Sequence, residues 1–393
     1  MIGLGHGGTH WVIAVYYLMV PWLRQDLGIS YTEAGLLLTS FHLFSFFANF
    51  GSGAAVDLVG RRVFLQVIAL VIGAIALAGM KFATGFWFVF AMLAFIGATN
   101  NLWHPPAISY LSSAYPKKKG YALSLHALGA SLGDAIAPLA AGFLLVWLGW
   151  RDASVVASMP VFVIALLLLL TLNARDRAAS KAPDKVKMSG KDYLGGVGAL
   201  FKNRAVVTLC MVSGFRTMTL MGLLMFLPLY LADQMKLAPT AVGATLMAMQ
   251  IGGLIATPLA GIWSDRSGCR PVVMAGFAGT TVILAVITLI DNQLLLVAGV
   301  SLLGFALYAA RPVMHSWMMQ ITPPHLGGSS MSLLFGTQSL FNFALPPICG
   351  IIADTWGLTA VFYLLAGTIL IANILVFLVP AEKKEPAAQG ADE

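Results

Sequence analysis

The chain has 393 residues, of which 59% are apolar and only 10% charged, and its formal net charge is +7. Soluble domains are about a quarter charged, so this composition excludes a soluble globular protein. Apolar stretches of about 20 residues, the length that crosses a bilayer as a helix, follow one another along almost the whole chain.

Twelve spans are expected, all helical, because a segment in lipid must satisfy its own backbone hydrogen bonds. Their approximate ends are 4–23, 32–56, 63–83, 86–113, 120–147, 152–173, 205–232, 239–263, 271–290, 293–319, 328–352 and 357–380. MIGLGHGG, at the start, has no basic region, and no cleavage site follows, so span 1 reads as a retained helix rather than a signal peptide. It carries His6, His10, Tyr16 and Tyr17. Between spans 2 and 3 lies Gly53-Ala-Ala-Val-Asp57-Leu-Val-Gly60-Arg61-Arg62. Span 4 carries Trp103 and His104 before Pro105 and Pro106; span 5 carries Gly129, Gly133, Asp134, Pro138 and Gly142.

The stretch 174–192 is the only long polar break and divides the chain into two six-helix bundles, 1–173 and 205–380, joined by a cytoplasmic linker over 174–204. In the second half, span 7 carries Arg216 and span 10 carries Tyr308 and Arg311. Between spans 8 and 9 the sequence reads Gly261-Ile-Trp-Ser-Asp265-Arg266-Ser-Gly268-Cys-Arg270. The tail, 381–393, has the composition of a disordered segment. Cys210, Cys269 and Cys349 are scattered and read as packing residues. No metal cluster and no cofactor are expected.

The two halves repeat each other at a nearly constant offset. Asp57 matches Asp265, Pro21 matches Pro228, Asp26 matches Asp233, and His104-Pro105 matches Arg311-Pro312. SLGDAIAP at 131–138 matches SLFNFALP at 339–346. Such repeats mark secondary transporters, with the substrate site near the midplane between the halves. With both termini in the cytoplasm, the cytoplasmic side holds 17 Lys and Arg against 4 on the other, which follows the positive-inside rule. The positive charge is thus topology and gives no argument for nucleic acid.

GxxxDxxGRR after span 2, echoed after span 8, resembles the signature loop of the major facilitator superfamily. The resemblance covers the whole chain and implies an all-α integral membrane fold of two pseudo-symmetric bundles acting as a monomer. It also implies that Gly53, Asp57, Gly60, Arg61 and Arg62, with Gly261, Asp265, Arg266, Gly268 and Arg270, latch the bundles together on the cytoplasmic side. Gly129, Gly133, Pro138 and Gly142 resemble the fifth-helix motif of drug/proton antiporters, with Ala137 and Ala141 replacing two glycines. WHPPAISYLSSAYPKKKGYALSLHALGASLG is similar to the fosmidomycin-resistance branch, although Pro106 stands where that branch has glutamate and the helix 1 acid is missing.

A charge at a helix centre costs about 2.5–3.5 kcal/mol on insertion scales and marks function by default. Asp134, Arg216, Arg311, His42 and His104 fall near mid-depth, and His10 nearer the cytoplasm. By the resemblance, spans 1, 4, 7 and 10 line the central cavity. Arg216 and Arg311 there would fork a carboxylate or phosphonate, unless one of them pairs with Asp134. Asp134 and His104 are the candidate proton carriers, and Tyr16, Trp103, Tyr308 and His10 complete the candidate substrate site. The function expected is proton-coupled export of a small organic anion, drugs included, across the bacterial inner membrane, with proton-coupled uptake as the alternative. No nucleotide loop or nucleophile set supports an enzyme.

Overall fold

In the structure, a computed structural model, residues 1–59, 61–179, 198, 200–322 and 326–379 are described. They are almost wholly helical and include no strand. The first bundle comprises α1 (Ile2–Leu27), α2 (Tyr31–Val59), α3 (Arg62–Gly79), α4 (Phe86–Ala114) and the long segment Lys119–Ala179. That segment breaks at Gly149, with φ 68° and ψ 171°, a backbone state in which only glycine avoids a Cβ clash. Its two arms are α5 (119–148) and α6 (150–179). The second bundle comprises α7 (Arg204–Leu229, continued by a π turn to Gln234), α8 (Pro239–Ser267), α9 (Cys269–Val286), α10 (Gln293–Ile321), α11 (Gly327–Trp356) and α12 (Leu358–Val376).

Among the described residues, twelve helices in two sets of six match the sequence reading. Asn203 and Asn292 cap α7 and α10, each side chain accepting from two backbone amides. α6 runs beyond the expected end of span 6 to Ala179. Its Asp176 is buried there and accepts a bond from the Val63 amide at 2.8 Å, so the extra turn supplies the anion that α3's free N-terminus favours. The linker from 180 to 197 and the tail beyond 379 lie outside the described residues.

Packing repeats as the sequence does. α2 packs on α4 as α8 packs on α10, and α1 packs on α5 as α7 packs on α11. Between bundles, the seams are α2 with α11 and α5 with α8. Cross-bundle hydrogen bonds cluster at the end of the molecule where α1 finishes and α2 begins; this is called the closed end below. Trp87, Trp147 and Trp356, all strongly exposed, stand at helix ends on that same side, as in the aromatic belt of a membrane interface.

Candidate functional site

α1 places His6 and His10 one turn apart, on one face. α4 brings His104, and α5 brings His126 and Asp134, to the same place in the first bundle. His6 Nε2 stands 3.3 Å from His104 Nε2, while His6 Nδ1 donates to the His126 carbonyl at 2.8 Å and His104 Nδ1 donates to the Asn100 carbonyl at 2.9 Å. His10 Nδ1 donates to Asp134 Oδ2 at 3.0 Å, with both side chains somewhat over a quarter exposed. The His6 ring stacks on His126 at 3.9 Å between centroids and meets His10 edge-on at 4.9 Å.

This arrangement disfavours one alternative and adds one feature. Asp134 pairs with His10 of its own bundle, not with an arginine across the interface. Three histidines also form a cluster that the sequence reading did not foresee: one ring nitrogen each from His6, His10 and His104 lie within 4.8 Å of one another. His6 was absent from the candidate list. Its i, i+4 spacing from His10 was the available signal, but the third ligand comes from a helix about a hundred residues away.

On the facing bundle, Arg216 of α7 is buried, 3% exposed, and donates through Nε and Nη2 to the Leu307 carbonyl of α10 at 3.2 and 3.0 Å. Tyr308 lies beneath its guanidinium, 5.9 Å from carbon to ring centroid. Arg311, one turn on from Leu307, is exposed. It lies within electrostatic range of Arg216, Tyr308 and His315 of its own bundle and of His104 opposite. Arg311 is thus an exposed charge that acts on groups of both bundles, while Arg216 is a buried charge fixed within the second. Tyr308 is within range of Asp134, so the two walls approach each other at this level.

Tyr16 and Trp103, expected at the cavity, are fully buried in the first bundle instead. The Trp103 ring fills the space beside Gly5, where a Cβ would overlap it. Tyr17 takes the interface position, its hydroxyl pointing to Met221 Sδ at 3.9 Å. A one-residue rotation on the helix decides between the two tyrosines, and composition does not set it.

The span 5 motif is a packing device. A Cβ at Gly129 would overlap the Gly3 carbonyl, and one at Gly133 the Gly7 carbonyl, so both glycines let α5 lie directly on α1. Pro138 and Gly142 continue the same line onto α8: the Pro138 carbonyl abuts Gly243 and Gly142 abuts the Pro239 carbonyl.

Of the signature loops, Gly60 lies outside the described residues, while Gly53 and Asp57 lie in the last turns of α2. Arg62 donates to Ser113 of α4, and Arg61 lies 4.3 Å over the Phe64 ring. Arg270 donates to the Val376, Phe377 and Val379 carbonyls, closing the C-terminal end of α12. Asp265 and Arg266 are exposed, and Gly268, with φ 85°, ends α8; Gly261 has open space beside it. These bonds stay within each bundle, so the described members do not form the expected latch in this state.

The closed end holds the cross-bundle contacts the sequence reading missed. Asp233 of the second bundle accepts from Arg24 Nη2 at 2.7 Å, Gln25 Nε2 at 2.6 Å and the Tyr31 hydroxyl at 2.9 Å. Asp354, at the end of α11, accepts from the Tyr31 and Thr32 amides at 3.0 and 2.8 Å and from the Thr32 hydroxyl at 2.6 Å. It caps α2 from the other bundle. Asp26, the repeat partner of Asp233, stays at home on Arg151 and Trp150.

The chain matches the family model described as the Major Facilitator Superfamily over residues 2–238 and again over 209–393. It is 25% identical to the uncharacterized MFS-type transporter YwoD of Bacillus subtilis, covering 89% of this chain and 88% of that one. It is 23% identical to the phosphoglycerate transporter protein of Salmonella typhimurium (95% and 86% covered) and 26% identical to the multidrug resistance protein MdtG of Proteus mirabilis (94% of each). Among solved structures, a bacterial homolog of the human lysosomal transporter Spinster, inward-facing and occupied, superposes with a TM-score of 0.79 at 18% identity, covering 96% of this chain and 95% of that one.

Proposed function

The chain belongs to the major facilitator superfamily, and on that premise we propose that it carries a small organic anion, a carboxylate or phosphonate, across the bacterial inner membrane by alternating access, coupled to protons and running as export. It is a multi-pass membrane transporter and not an enzyme. The observation that carries the anion reading is the exposed Arg311, which acts electrostatically on His104 of the other bundle, together with the buried charge of Arg216 in its own. A guanidinium in a low-dielectric gap is suited to an anionic oxygen pair. The name of the phosphoglycerate relative supports the same chemistry, and the MdtG relatives support export. The Asp134–His10 pair, with His104, is the proton-handling group of this reading. The positive-inside pattern supports a closed end on the outer face of the membrane.

Binding of small carboxylates, phosphonates, neutral compounds and cations to the purified protein, read by thermal shift, tests the anion. Arg311→Ala removes hydrogen bonds to a charged group, each about 1.5–3 kcal/mol, so anion affinity falls about 10- to 100-fold. Preferred binding of cations, or an unchanged anion affinity in Arg311→Ala, refutes the reading. In proteoliposomes an imposed inward proton gradient expels the substrate; accumulation assigns proton-coupled uptake instead.

A further inference from the structure

We propose that His6, His10 and His104 form a binding site for a divalent transition-metal ion of the zinc type, with Asp134 orienting His10. A backbone carbonyl can only accept a hydrogen bond, so the Nδ1 atoms of His6 and His104, which face the carbonyls of His126 and Asn100, must each carry the hydrogen. Their Nε2 atoms then present lone pairs to each other at 3.3 Å, an arrangement that needs a cation between them. Two nitrogens bound to one tetrahedral zinc, each at about 2.0–2.1 Å, stand about 3.3 Å apart.

A proton would satisfy two nitrogens; the third imidazole points to a metal. His10 Nδ1 is committed to Asp134, which frees its Nε2. One ring nitrogen of each histidine lies within 4.8 Å of the others, so His10 stands within reach of the same ion. Every ligand already has the outer partner that metal-binding histidines carry, a carbonyl for two of them and a carboxylate for the third. The stacked His126 ring holds His6 in plane. Three protein ligands leave a fourth coordination position open. Neutral imidazoles select zinc, cobalt, nickel or copper over magnesium. All the ligands belong to one bundle, so the site survives rocking of the halves intact.

The test uses full-length protein without a histidine tag, titrated with zinc chloride against a chromogenic chelator, with magnesium chloride as the reference. One zinc per chain and no competing magnesium are expected, and cobalt bound in its place gives the intense visible bands of a tetrahedral ion. Asp134→Asn, which removes only the orienting carboxylate, weakens zinc about 10- to 100-fold, and His104→Gln weakens it further. His42→Gln, on the α2–α11 seam, leaves it unchanged. Zinc binding no tighter than magnesium, an octahedral cobalt spectrum, or full affinity in both His104→Gln and the partly exposed His10→Ala overturns the proposal and leaves a proton bridging His6 and His104. The spectrum needs no variant, so failure of a mutant to fold does not protect the idea. The readout is binding rather than flux, so its failure leaves the anion reading untouched.

Discussion

Asp233→Asn is the sharpest perturbation of the conformational equilibrium. The Asp233 side chain is 6% exposed and that of its partner Arg24 is 19% exposed, so this ion pair is not a screened surface contact. Removing one member of a buried pair costs about 3–5 kcal/mol because the other is left uncompensated. Arg24 keeps the Ile29 carbonyl and the face of Tyr31 as partners, and asparagine keeps an oxygen for Tyr31 or Gln25. These place the cost at the lower limit, about 3 kcal/mol. The Arg24–Asp233 contact joins the two bundles and is lost when they part, so the cost falls on the closed-end state alone. At about 1.4 kcal/mol per tenfold, the equilibrium moves about a hundredfold toward opening at that end. The assay is the alkylation rate of a single cysteine at position 39, whose native hydroxyl lies on the Phe343 carbonyl across the seam, with the three native cysteines replaced. A rate equal to that of the unaltered gate would show that Asp233 does not hold the end shut.

The remaining predictions concern the other cap and the helix seam. Burial acts to raise the Asp354 carboxyl, but hydrogen bonds from the Thr32 hydroxyl and amide and the Tyr31 amide, with the Arg24 charge, outweigh it and hold the group below its ordinary value. A carboxyl lowered in this way stabilises its bound state above the ordinary value near 3.9, and the contribution fades as pH falls through the lower one. Closed-end cysteine alkylation, divided at each pH by the rate of a freely exposed reference cysteine to remove the thiol's own titration, therefore stays flat from neutral pH down to about 5 and rises only in stronger acid, whereas Asp354→Asn raises this ratio at every pH. Gly129→Ala puts a methyl group into the Gly3 carbonyl. Overpacking of this kind costs about 1–3 kcal/mol, which lowers the unfolding temperature in a fluorescence melt, while the same substitution at Gly336, with open space around it, does not.

The fold was legible because lipid leaves so few choices. Span length, the basic loops and the 208-residue echo of Asp57 in Asp265 gave twelve helices in two sets. The site was half legible. A charge or histidine inside an apolar run announces itself, and Arg216, Arg311, Asp134, His10 and His104 were all named from that signal. What sequence does not carry is azimuth. Tyr16 and Tyr17 differ by about 100° around α1, and that rotation sends one into the core and the other to the interface. Partnership across the chain is equally silent: the sequence offered Asp134 only an arginine as partner, and the approach of α1 to α5 over Gly129 and Gly133 brings His10 to it instead. Asp233 and Asp354 sit at helix ends, where an acid looks like ordinary solvated surface until the other bundle arrives above it.

Duplication followed by divergence explains how the chemistry is divided. His104-Pro105 and Arg311-Pro312 occupy matching places in α4 and α10, and Asp134 matches Asn342. The first bundle thus keeps neutral or titratable donors, gathered into one cluster, and the second keeps permanent positive charge, with Arg216 fixed to the Leu307 carbonyl. Each set is internally bonded, so neither needs the other to stay in place while the bundles rock. Arg311 of the second bundle acts electrostatically on His104 of the first, and a cation held at His104 would repel the Arg311 guanidinium unless an anion lay between them. Occupancy of the first-bundle cluster would thereby set how tightly an anion bridges the gap. Such coupling has to be reciprocal: whatever cation the cluster holds, proton or metal, binds more tightly when the anion is present, and the zinc titration repeated with bound anion would detect it.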